Sequence, residues 1–337
     1  VNRSKSTAGL NCTSGFAGPQ KLHLGTFLLA DGDTMEHMDA GIVATVQRPV
    51  KRSQSAPLIG PDYPWEGTMH FYGSVVTLAP DDHRIYYACN VQGKKQGAAD
   101  DQSSCCVAVS SDGNTWTKPM LSYISFNSTF PKTNMVFTSG AGWFDSMLAL
   151  PQGMPAPQGT PVGTRLIMAF DDGLTDTNER SLQLAVSADG YKFTRLSPPP
   201  RLPTNFADTS VSLSFDPLTF EFVAFGRMDG ARNQHPGQVC GTFPPPANWN
   251  MRSVRGVRRA VSMPESDGHR LEPSLSNWLN ASRLLPFSFD QLDEQCLDIY
   301  NTAATLVSTG LLNKSLAIEQ NYERAFLAFP SVYLHYG

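Results

Sequence analysis

Ser104-Cys105-Cys106-Val107-Ala108-Val109-Ser110-Ser111-Asp112-Gly113 and Ser181-Leu182-Gln183-Leu184-Ala185-Val186-Ser187-Ala188-Asp189-Gly190 are two copies of one stretch. Arg259-Ala260-Val261-Ser262, followed by Ser266-Asp267-Gly268, is a third copy that carries an insertion. The Asp-Gly pairs stand at 112, 189 and 267, intervals of 77 and 78 residues. Recurrence at a near-constant period marks a repeated structural unit. Ser-x-Asp-Gly at the end of an alternating apolar run is a strand entering a tight turn.

Two further apolar runs precede each copy. Residues 70–76 and 84–89 lead into the first, 144–150 and 165–170 into the second, and 209–215 and 220–225 into the third, while 300–307 and 324–329 open a fourth unit. Short β-rich runs between Gly, Pro, Asn and Asp clusters, without a long helical period, predict an all-β chain. Repeated antiparallel meanders of about four strands are β-propeller blades. The chain therefore reads as an N-terminal extension over 1–55, with candidate strands at 24–29 and 41–47, and a propeller domain over 56–337. The last unit stops after its second strand, which predicts an incomplete ring, or one closed by something outside the given sequence.

A hydrophobic content of 41% supports a core, and 25 Pro with 27 Gly suit many turns better than many helices. A net charge of −4 offers no electrostatic case for nucleic acid or an anionic membrane. The basic clusters, Lys51-Arg52 and Arg252, Arg255, Arg258 and Arg259, read as solvated strand edges. No apolar run reaches membrane-spanning length. Five Asn-x-Ser/Thr sequons, at Asn2, Asn11, Asn127, Asn280 and Asn313, together with six Cys, point to a secretory route and a secreted or lumenal protein. Asn127, Asn280 and Asn313 are the expected glycosylation sites. A start at Val1 rather than Met agrees with removal of a leader.

The cysteines lack metal-ligand spacing: Cys12, Cys89, Cys105, Cys106, Cys240 and Cys296 contain no Cys-x-x-Cys pair, and no His cluster accompanies them. Asp100-Asp101 and Asp171-Asp172, read as loop residues, lack the spaced oxygen ligands of a calcium site. Neither a metal nor a cofactor is expected. Cys89 ends one strand and Cys105-Cys106 opens the next across a hairpin. Neighbouring residues of a strand point to opposite faces, so a disulfide from Cys89 suits only one of the two; the alternative is buried free thiols.

The run Ala56-Pro57-Leu58-Ile59-Gly60-Pro61-Asp62-Tyr63-Pro64-Trp65-Glu66, then the Gly-Ser-Val-Val and Tyr-Tyr strands and Ser-Ser-Asp-Gly-Asn-Thr-Trp, resembles the opening blade of the five-bladed β-propeller glycoside hydrolases. That superfamily includes invertases, arabinanases, xylosidases and mannoside phosphorylases. The resemblance continues through Phe225-Gly226-Arg227, Trp249-Asn250-Met251-Arg252 and Phe329-Pro330-Ser331-Val332-Tyr333, and is strongest for an uncharacterised glycosidase-like branch. Ser111 to Trp116 is also similar to the sialidase Asp box, but lacks that box's extra residue between Asp and Gly, so a structural hairpin is expected.

The resemblance implies a saccharide in an axial funnel, with acids on successive innermost strands converging on the glycosidic bond. Glu66, Asp145, Asp208 and Asp298 occupy such positions, with Glu294 an alternative acid. Two carboxyls are the chemical minimum, one protonated to serve the leaving group and one ionised to attack or to activate water. Asp145 and Asp208 are the expected central pair, although the order of acids departs from the superfamily's Asp, Asp, Glu pattern. Trp65, Trp143 and Tyr300 are candidates for stacking on a sugar or for packing between blades. His70, Arg227 and Arg252 are candidate polar contacts. An oligo- or polysaccharide is the expected partner, and the competing reading is a non-catalytic propeller that binds glycan or protein.

Overall fold

Apolar runs this short bury their side chains only by pairing into sheets and stacking those sheets, and the chain does so in order along its length. The computed structural model describes residues 57–73, 75–90, 104–138, 144–174, 180–198, 211–217, 219–231, 254–266, 271–276, 278–279, 297–308 and 324–334, with backbone alone at 171–174, 180–181, 227–231, 254–259, 279, 297–308 and 324–334. The chain divides between Gln54 and Ser55, and all described residues belong to the second unit.

After a single 3-10 turn, Pro64–Glu66, the first sheet comprises β1 (Thr68–His70), β2 (Val75–Ala79), β3 (Asp82–Asn90), β4 (Ser104–Ser110) and β5 (Met135–Thr138). β1 and β2 both pair with β3, which pairs with β4, and β4 with β5. The second sheet runs in chain order through β6 (Phe144–Ala149), β7 (Leu166–Leu174), β8 (Arg180–Ser187) and β9 (Thr194–Arg195). The third holds β10 (Ser212–Asp216), β11 (Glu221–Ala231) and β12 (Val254–Ser262). The inserted ribbon of β13 (Glu265–Ser266) and β14 (Leu271–Glu272) then intervenes before β15 (Trp278–Leu279) completes that sheet against β12. β16 (Leu297–Ser308) pairs with β17 (Arg324–Leu334). All these pairings are antiparallel.

Two expectations need correction. The run 70–76 is not one strand: β1 ends at His70 and β2 begins at Val75. The cause lies at Gly73, where an added Cβ would stand 2.8 Å from two ring atoms of Phe144, so the first strand position breaks where sheet 2 approaches its backbone. Asp171 and Asp172 belong to β7 rather than to a loop. The extension 1–55 and the third Asp-Gly pair at Asp267 lie outside the described residues.

The two described Asp-Gly turns share one hydrogen-bond pattern. The Asp112 Oδ1 accepts from Asn114 N at 2.8 Å and Thr115 N at 2.7 Å, and the Asp189 Oδ1 from Tyr191 N at 2.8 Å and Lys192 N at 3.0 Å. The Ser110 and Ser187 hydroxyl oxygens each accept the following glycine's N–H at 2.8 Å. Gly113 and Gly190 take φ of 71° and 76°, the left-handed region that glycine enters without strain. The N–H groups of Thr115 and Asn114, with the Ser110 hydroxyl, draw the Asp112 carboxyl down to about 2.

Alternation along each strand assigns its side chains to two interfaces. Leu166, Met168 and Phe170 of β7 join Tyr86, Ala88 and Val107 in the core between sheets 1 and 2. Ile167 and Ala169 join Leu213, Phe215, Phe222 and Ala224 in the core between sheets 2 and 3. A strand buried on both faces is apolar at every position, which is why these runs are nearly continuous in the sequence. The first strands also touch in succession, β2 to β6, β6 to β10 and β10 to β16. Four-position antiparallel meanders, stacked face to face with their first strands in contact, form a propeller-like arrangement.

Cys89 and Cys106 are joined, with Cα atoms 5.9 Å apart, while Cys105 points into the other interface as a buried free thiol. The bond spans 17 positions, and a closed loop of that length contributes about 3 kcal/mol by restricting the unfolded chain. The paired Cys89→Ser and Cys106→Ser variant is expected to lose about that much in urea unfolding. A loss below about 1 kcal/mol would contradict it.

Candidate functional site

In an antiparallel meander, the start of the first strand, the end of the second and the start of the third share one end of the sheet. The Asp-Gly turns follow third strands, so they occupy the opposite end. Irregular pairing gathers at the first of these ends. Phe144 faces Phe170 and Ser146 faces Ala169, so Asp145 is the extra residue of a β-bulge. Tyr300 stands in the same position between the Ile299 and Asn301 pairings, and further register shifts fall between Asp171 and Leu174 and between Met228 and Ala231. The β1–β2 break lies near this end too. Bulges leave one residue outside the ladder and re-aim its side chain, and they concentrate at sheet edges, barrel rims and active sites.

Asp145 is fully buried on its bulge. Beside it in sequence, the buried Ser146 hydroxyl has no hydrogen-bond partner among the described residues, nor does the Asn90 side-chain oxygen at the end of β3. Buried polar atoms without partners cost about 1–3 kcal/mol each and call for an explanation such as a bound water or ligand. In the adjoining strand break, His70 and Tyr72 lie with rings parallel to within 2° and centroids 5.7 Å apart. Phe71, in contact with Tyr87, is 44% exposed and Tyr72 39%. Gly73 against Phe144 joins this aromatic stretch to the bulged start of β6.

Glu66 follows different physics. Its carboxylate is completely buried and takes four donors: Tyr87 Oη at 2.6 Å, Asn134 Nδ2 at 3.2 Å, Asp62 N at 3.0 Å and Lys118 Nζ at 2.7 Å. Lys118 also donates to the Gly60 carbonyl and to Asp62. Burial first, and then the Glu66 carboxylate, hold the Tyr87 phenol far above its ordinary range, so it remains a donor. Tyr87 belongs to the face of sheet 1 turned away from sheet 2, whereas Phe144 packs on the other face. Trp65 lies on that far face as well. It is stacked on Tyr63 at 4.7 Å, flanked by Phe126 and Phe130 at 5.6 Å, and donates to Asn134 at 2.7 Å. Its indole is a packing element here, the second of the two roles expected for it.

Of the remaining candidates, Asp298 and Tyr300 lie near the start of β16 and Arg227 in β11, where the backbone is described. Asp208, Glu294, Trp143, Arg252, Asn280 and Asn313 lie outside the described residues. The sequence reading overlooked Lys118 and Asn134 as partners of Glu66. A signal for Lys118 was present, because both described turns are followed by an aromatic residue, Thr and a cation, in Trp116-Thr117-Lys118 and Phe193-Thr194-Arg195. Nothing local marks Asn134.

The fold and this end of it define an all-β protein of stacked four-stranded sheets with polar and aromatic groups gathered at the bulged strand starts. No protein-family model matches the chain, and no curated protein matches it. Among solved structures it is similar to a "Glycoside hydrolase" (14% identity over 74% of this chain and 63% of that one, TM-score 0.40). It is also similar to a structure described as a complex of BT0996 and RGII (14% identity, the same coverage, TM-score 0.38). The chain spans less than two thirds of each. The fold assignment rests on the sheet topology itself.

Proposed function

We propose that the bulged end of the sheets is a saccharide-binding funnel and that the protein is a glycoside hydrolase of the five-bladed propeller type acting on an extracellular oligo- or polysaccharide. The observation that carries this reading is the buried Asp145 carboxyl on a first-strand bulge, next to unpartnered buried polar atoms and a partly exposed aromatic stretch. Asp145 and Asp208 form the working pair in this reading, with Asp298 and Glu294 flanking. One carboxyl protonates the departing glycosidic oxygen while the other attacks the anomeric carbon or activates water. Tyr72 and His70 stack against the sugar, Trp143 and Tyr300 extend that surface, and Arg227 and Arg252 orient polar substituents. Glu66 anchors the far face of sheet 1 and takes no part in the chemistry. The Cys89–Cys106 bond suits an oxidising, extracellular setting.

Asp145→Asn preserves shape and removes the charge and proton. On a panel of aryl glycosides and plant or microbial polysaccharides, it is expected to lower kcat by about 10²–10⁴. Unchanged turnover would remove Asp145 from the mechanism. A second reading, glycan binding without hydrolysis, draws on the exposed Phe71 and Tyr72. It predicts no turnover by the parent protein and saccharide affinity that falls on Tyr72→Ala.

A further inference from the structure

We infer that Asn127 is a site of N-linked glycosylation, and that the fold of its hairpin accommodates the glycan. Residues 121–133 form an excursion between β4 and β5, closed by reciprocal Leu121–Thr133 backbone bonds of 2.7 and 2.9 Å. Near its tip Phe126 N donates to Phe130 O at 3.1 Å, and both rings pack on Trp65. The tip is therefore fastened to sheet 1 by its aromatic residues, while Asn127, Ser128 and Thr129 between them are exposed.

The two atoms of the Asn127 carboxamide have different fates. Its Oδ1 accepts from Thr129 N at 2.9 Å and from Phe130 N at 3.0 Å, which holds the turn. Its Nδ2 makes no hydrogen bond among the described residues, and N-glycosylation substitutes that atom. In the transfer step, Nδ2 attacks the anomeric carbon of a lipid-pyrophosphate-linked oligosaccharide. The new C–N bond forms as the C–O bond to pyrophosphate breaks, the lipid pyrophosphate departs, and the amide proton passes to a base of the transferase. The product retains Oδ1 and both of its turn bonds, so modification costs the folded tip nothing that holds it. Thr129 supplies the hydroxyl that the acceptor triplet requires two residues on. The Cys89–Cys106 disulfide in the same sheet independently places folding in an oxidising compartment of the kind where this transfer takes place.

The test is to express the full chain behind a cleavable secretory leader in a eukaryotic host and to map the peptide containing Asn127 by mass spectrometry, before and after peptide-N-glycosidase. The expected result is a glycopeptide that the enzyme converts to an Asp-containing peptide. Thr129→Ala should abolish the glycan and leave the unfolding midpoint of the deglycosylated protein unchanged, because only the Thr129 backbone N–H serves the turn. A bare Asn127 peptide, from secreted or cell-retained chains whose Cys89–Cys106 bond is intact, would overturn the assignment. A glycan that persists in Thr129→Ala would overturn it equally.

Discussion

Lys118→Met is expected to destabilise the protein by about 3–5 kcal/mol, the usual cost of leaving a buried charge without its partner. The Lys118 side chain is 7% exposed and that of Glu66 0%, so water cannot replace the lost ammonium. Removing Lys118 leaves Glu66 with two side-chain donors and one backbone N–H, and releases Gly60 and Asp62 from the segment that covers sheet 1. The companion change Glu66→Gln removes the uncompensated charge while keeping an oxygen for Tyr87 and Asn134. The double variant is therefore expected to be more stable than Lys118→Met alone, a coupling that a double-mutant cycle in urea reads directly. Additive losses, or a single-variant loss below about 1 kcal/mol, would show that the pair does not act as a buried unit.

A single methyl group at Gly190 is expected to cost about 3 kcal/mol or more, whereas the same methyl at Gly113 costs about 1–2. Both residues take positive φ, so each alanine meets the same backbone strain. Around Gly113 an added Cβ finds nothing within 4 Å, while at Gly190 it would stand 2.5 Å from Tyr86 Oη and 2.6 Å from Arg84 Nη1. Neither neighbour retreats freely. Tyr86 is fully buried and donates to the Gly190 carbonyl at 3.0 Å. Arg84 donates to the Asp189 carbonyl, pairs with Asp82 at 2.8 Å and lies 4.3 Å from the Tyr191 ring centroid. Making room means breaking bonds that join sheet 1 to the turn of sheet 2. Equal losses for Gly113→Ala and Gly190→Ala, measured by chemical denaturation, would refute this inter-sheet role.

The contrast between these glycines separates what was legible in the chain from what was not. Ser-x-Asp-Gly was readable as a turn because its chemistry is local: a serine oxygen, an aspartate oxygen and a glycine φ act within six residues. The strand order was readable for the same reason, since each apolar run pairs with its neighbour in sequence. The sequence also narrowed the Cys89 partner to one of two adjacent residues, and strand alternation made Cys105 and Cys106 mutually exclusive. The choice of Cys106 followed from which face of β4 meets Cys89.

Tertiary contacts alone decided the fate of the acids and aromatics. Glu66 and Asp145 look alike in sequence, each an acid at the threshold of a first strand. Glu66 turns toward Lys118, Tyr87 and Asn134, which lie 52, 21 and 68 positions away, and is consumed by structure. Asp145 sits on a bulge whose existence depends on register with β7. Trp65 is enclosed by Phe126 and Phe130 from a distant hairpin. By itself the sequence determined the repeated antiparallel meander, because period-2 burial and Asp-Gly turns act over neighbouring residues. Only the tertiary structure decided which acids are neutralised and which remain at the bulged end, because burial and charge pairing are set by residues that the chain brings together from far apart.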